Sequence, residues 1–156
     1  MTSLSKGMAA GCGAIIVLAL AVFEPAAAVS SPSRETVRFG HFGVVTLHRS
    51  APHPSHVALL ISGDGGWDST MAGIAEALEK DNTLVVGINV FRYLHAVDGA
   101  MAKCAYPSGD FEPRSHFVEK KLGFPEYIRP VLIGYQSGAA LAYAVLASGL
   151  TSRDHL

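Results

Sequence analysis

The sequence predicts an α/β fold, a mostly parallel sheet with helices on both faces, and three observations carry that expectation. Three apolar runs of strand length, VALLIS (57–62), TLVVGINV (83–90) and PVLIGY (130–135), lack polar alternation, as do strands covered on both sides. Helical stretches separate and follow them, and such alternation implies parallel strands joined by crossovers. Two of the strands run directly into glycine-rich turns, GDGGWDST (63–70) and GYQSG (134–138). In an open parallel sheet, chemistry gathers at such strand ends.

The elements follow in order. Residues 1–28 place Lys6 ahead of an apolar run from Met8 to Phe23 and end in Ala26, Ala27 and Ala28. This pattern makes a secretory signal, with cleavage expected between Ala28 and Val29. The run is short of the ~20 residues that a spanning helix needs, so no transmembrane span is expected after cleavage. Residues 29–35 (VSSPSRE) are polar and read as a linker; the domain is expected over residues 36–156. TVRF and VVTL, around Gly40, His41, Phe42 and Gly43, predict a hairpin. APHPSH (51–56) is a proline-broken loop. His53 and His56 have a metal-like spacing there, but the loop fixes no common face, and no metal is expected.

After the first long strand, Asp68, Ser69 or Thr70 caps a helix. That helix carries Met71, Ile74, Ala75 and Leu78 at the i, i+3, i+4, i+7 spacing of one buried face. Residues 92–110 are polar and contain glycine, which predicts a long irregular segment around Cys104. DFEPRSHFVEKKL (110–122) predicts a helix with Pro113 near its first turn and Phe117, Val118 and Leu122 facing inward. GAALAYAVLA (138–147) predicts a helix with almost no polar face, one that belongs inside a larger body. SGLTSRDHL follows and supplies no further strand. The expectation is therefore the amino-terminal part of a domain.

Composition narrows the function classes. A chain of 156 residues fits one domain, and at 49% hydrophobic residues it can bury a core. The formal net charge of -1 gives no basic footprint, and no nucleic acid contact is expected. Two cysteines make no disulfide framework. Cys104 is the one left after signal cleavage; it is either a free buried thiol or pairs outside this sequence.

The two turns admit several readings. GDGGWDST lacks the lysine of a P-loop and the third glycine of the dinucleotide fingerprint. Asn89 replaces the acid that would hold a ribose, and no cofactor is expected. Each turn alone could need glycine for geometry only. Their joint placement fits the α/β-hydrolase plan, in which the first turn supplies an oxyanion N–H and the second presents a nucleophile within G-x-S-x-G. The candidates are Asp64, Gly65, Gly66 and Trp67 on the first turn, with Gly134 and Gly138 as the elbow glycines. Trp67 is expected to pack its turn against the sheet.

Three stretches, LLISGDGGWDSTMAGIAEAL, KCAYPSGDF and PVLIGYQSGAALAYAVLA, resemble the AcvB/VirJ family of bacterial virulence proteins, specifically the amino-terminal module of its two-module members. The resemblance implies an exported, periplasmic protein of the α/β-hydrolase fold. It also implies ester hydrolysis of lysyl-phosphatidylglycerol, an aminoacylated phospholipid, and links to type IV secretion proteins as partners. In the larger members that hydrolysis is associated with a second, carboxy-terminal module.

Members that resemble this chain typically read GYSSG where it reads GYQSG. Gln136 takes the nucleophile position, and an amide cannot be activated by a histidine base. Ser137 remains as the catalytic candidate, one place late, with Tyr135 and Ala139 where the frame has glycines. After it only Asp154 and His155 could complete a triad, and adjacent residues orient one another poorly. His95 and His116 are expected to be surface or packing residues. Asp64 is placed to hold an ammonium group. No autonomous hydrolysis is expected; the alternative is a module that binds a lipid or a secretion partner.

Overall fold

The computed structural model describes residues 33–99 and 106–153. The predicted signal segment, residues 29–32 of the expected linker, Cys104, Asp154 and His155 lie outside the described residues. Five strands form one mixed sheet in the order β1-β2-β4-β3-β5. β1 (Ser33–Phe39) and β2 (Gly43–Arg49) make the predicted antiparallel hairpin around a single 3-10 turn, Gly40–Phe42. β1 begins at Ser33, so Ser33, Arg34 and Glu35 are strand rather than linker. β3 (His56–Ile61) lies between β4 (Thr83–Ile88) and β5 (Val131–Gly134) and is parallel to both. β2 joins this parallel core in the antiparallel sense, with Thr46 opposite Gly87.

Helices cover both faces. Alternate residues of a strand point to opposite sides, and two clusters separate on that basis. Leu60 and Val85 pack with Met71 and Ala75 of α1 (Ser69–Lys80) on one face. Leu59, Ile61, Leu84, Val86 and Ile88 face α2 (Val90–Gly99), α3 (Pro107–Lys121) and α4 (Ser137–Arg153) on the other. Burying a side chain of this size stabilises the fold by about 1.5–3 kcal/mol. Asp68 caps α1 by accepting from Met71 N at 2.9 Å, one of the expected capping residues.

Two helix expectations are corrected. The segment read as irregular from residue 92 is largely helical: α2 starts at Val90, with Asn89 Oδ1 accepting from Arg92 N at 3.0 Å. Val90 and Tyr93 face inward, a helical spacing that the preceding strand run obscured. α3 buries Phe111, Arg114, Ser115, Val118 and Glu119, not Phe117, which is half-exposed and meets the Phe39 ring at 4.9 Å. Buried polar groups account for the difference. Glu119 accepts from Ser115 Oγ and Ile128 N, both at 2.7 Å. The Arg114 guanidinium lies 4.7 Å from the Phe42 ring centroid with no hydrogen-bond partner, and burial lowers its pKa to about 10.

Candidate functional site

From β3 the chain enters α1 on one face of the sheet; from the adjacent β5 it enters α4 on the other. Neighbouring strands whose exits diverge in this way leave a crevice at their carboxyl ends. Both glycine-rich turns lie there. The first closes on itself, with Gly66 N donating to Gly63 O at 3.0 Å and Gly66 at φ 72°. In the second, Tyr135 N bonds Ile61 O at 3.0 Å, and Gly138 N and Ala139 N bond back to Tyr135 O and Gln136 O at 2.9 Å.

Two glycines are required by close approach to backbone, and a third, Gly63, faces a side chain of the second turn. A Cβ on Gly138 would stand 2.5 Å from Ile61 O and Ser62 O. One on Gly134 would collide with Gly138 O and the Ala139 backbone. One on Gly63 would stand 2.5 Å from Gln136 Oε1 and 3.1 Å from Gln136 Cβ. The amide of Gln136 therefore reaches across to the first turn, and the two turns form one site.

Gln136 occupies the apex. Its φ is 50°, a left-handed conformation uncommon outside glycine, asparagine and aspartate, and its side chain is exposed. Ser137, the expected catalytic candidate, is directed elsewhere: its Oγ is shut off from solvent and has no hydrogen-bond partner. Asp64 and Gly65 are exposed on the rim. Trp67 packs its turn against the sheet as anticipated, its indole filling the space where a Gly87 Cβ would come within 2.6 Å. It also stacks on His48 with 5.3 Å between centroids. Asn89 Nδ2 approaches Gly66 from the end of β4, 2.9 Å from where a Cβ would sit.

One arrangement was not legible in the sequence. Asp110 Oδ2 accepts from Tyr93 Oη at 2.9 Å and lies 3.2 Å from His41 Nδ1. This joins the hairpin turn to α2 and α3, and burial and the carboxylate together push the Tyr93 pKa well up. The sequence gives no spacing signal for a pair 69 residues apart. His41 belongs to the β2 end of the sheet, three strand spacings or about 14 Å from β5, so it does not serve Gln136 or Ser137. His95 is exposed, and His116 stacks on Tyr127 at 3.7 Å. A cavity of about 480 Å³ opens at the other end of β5, between Tyr127, Arg129, Leu132 and Val145, away from the turns. Among the described residues no group of three or more potential metal ligands occurs.

Fold and site together define an α/β protein with paired glycine-rich turns at the carboxyl ends of adjacent parallel strands. The family model of the bacterial virulence protein VirJ matches residues 55–151, a span that contains both turns. The chain belongs to the VirJ family of bacterial virulence proteins. No match was found among curated proteins or solved structures.

Proposed function

We propose that the chain is an exported, periplasmic VirJ-family protein on an α/β-hydrolase-like scaffold that does not itself hydrolyse esters. The family chemistry is cleavage of lysyl-phosphatidylglycerol, and the retained turns act here as a binding site. The observation that carries this reading is Gln136, an amide in the strained apex position that an α/β-hydrolase gives to its nucleophile. The buried Ser137 Oγ supports it. The exposed Asp64 provides a carboxylate for the ammonium group of an aminoacylated phospholipid headgroup. A surface for type IV secretion proteins is the second reading, supported by family membership alone.

A serine-directed fluorophosphonate tests the catalytic half. No labelling of the folded chain is expected, and labelling that disappears in Ser137→Ala would overturn the proposal. Flotation with vesicles containing lysyl-phosphatidylglycerol tests the binding half. Binding is expected to weaken in Asp64→Asn; equal flotation of both proteins removes Asp64 from the site. Amino-terminal sequencing of the exported protein is expected to begin at Val29.

A further inference from the structure

Beneath the first glycine-rich turn, on the α1 face of the sheet, lies a buried titratable pair that the proposed function does not use. His48 of β2 is 3% exposed, and its Nδ1 stands 3.2 Å from Oε1 of Glu79 on α1, itself 7% exposed. Neither imidazole nitrogen makes a well-directed hydrogen bond. The imidazole is stacked on Trp67, with 20° between the ring planes. Trp67 in turn fills the space over Gly87. In the chain it stands between Gly66, which has positive φ, and Asp68, which caps α1. A single imidazole thus connects a buried carboxylate to the side chain that anchors the turn.

We propose that His48 is a proton-operated strut for this turn: on taking up a proton its imidazole closes onto Glu79 and shifts Trp67, and Gly65 and Gly66 move with it. A neutral imidazole offers one donor, an imidazolium two. Charge-assisted N–H···O bonds settle near 2.7–2.9 Å. Closing from 3.2 Å therefore displaces the ring by several tenths of an ångström. Close-packed interiors transmit shifts of that size, and the indole, confined against Gly87, receives this one.

The surrounding charges set where the device operates. Glu79 from α1 favours the protonated form, and Arg34, the cross-strand partner on β1, opposes it. β4 presents uncharged Val85 opposite His48, and Asp68 of the turn is engaged in capping α1. Burial outweighs Glu79, so His48 titrates below its ordinary 6.5. The turn is in its neutral-imidazole state at neutral pH and changes on acidification below 6.5.

Trp67 is the only tryptophan in the sequence, so its emission reports the event directly. Imidazolium in contact quenches indole fluorescence. Emission of the folded chain is expected to fall on acidification with a midpoint below 6.5. The midpoint should move to lower pH in Glu79→Gln, and the titration should vanish in His48→Gln. The amide signals of Gly65 and Gly66 should titrate with the same midpoint in nuclear magnetic resonance. Persistence of the emission change in His48→Gln overturns the proposal, and so do Gly65 and Gly66 signals that stay fixed while Trp67 responds. Should the variants fail to fold, the unaltered chain still decides: the His48 ring signals and the Trp67 emission must share one midpoint, and separate midpoints overturn the proposal.

Discussion

Gly138 lies where a single added carbon meets the carbonyl oxygens of both Ile61 and Ser62. Backbone, unlike a flexible side chain, cannot swing aside, so Gly138→Ala forces α4 away from β3. A loss of about 1–3 kcal/mol is expected, the usual cost of overpacking, and urea unfolding with the slope held constant measures it. His48 makes a second prediction at this scale. Its folded pKa lies below 6.5, the value it regains on unfolding. Between the two values the unfolded chain binds more protons, so stability rises with pH there. The contribution is complete above 6.5 and is lost as pH falls through the folded value. The thermal midpoint should drop on acidification across that window, with a shallower slope in His48→Gln. Gln136 was legible as the residue at the apex, because the spelling GYQSG places it there. The His41–Asp110 pairing was not, since only the completed fold brings these residues together.

Helix boundaries show how periodicity succeeds and fails. α1 was readable because Asp68 caps it and one apolar stripe faces the sheet. Asp68→Ala removes the acceptor for Met71 N and is expected to cost about 1 kcal/mol, visible as a lower urea midpoint. α2 was hidden because its first residue, Val90, continues the apolar run of β4, and its own inward positions are few. α3 was placed within a turn of its true ends but rotated in the reading. A search for apolar residues cannot assign Arg114 and Glu119 to the inside. Each is inside for its own reason: the guanidinium by stacking on Phe42, the carboxylate by holding Ser115 and Ile128.

At the scale of the whole molecule, the described residues form a sheet with two edge strands, β1 and β5. β1 is the outer strand of an antiparallel hairpin at one margin, and β5 is the parallel strand at the other. Val131 of β5 is 61% exposed, and Tyr143 and Leu146 of α4 are 76% and 57% exposed. The near absence of a polar face on α4 was visible in the sequence; which of its residues lie uncovered depended on the sheet order. Unpaired edges flanked by apolar side chains favour association. Concentration-dependent self-association is therefore expected in sedimentation, and Val131→Lys should reduce it without lowering the thermal midpoint. Unchanged association in that variant would place the contact elsewhere.

The position of β3 between its two parallel partners, β4 and β5, also fixes an order of events in folding. Leu59 is paired with Val86 on one side and with Leu132 on the other. The first closure spans α1 alone; the second must wait for α2, α3 and everything between them. Longer loops close at greater entropic cost, and non-local pairings form late. A chain emerging from the ribosome thus holds β3 half-paired until β5 arrives. During that interval the exposed edge of β3 is the segment most available to a chaperone, or to another chain in the same unfinished state.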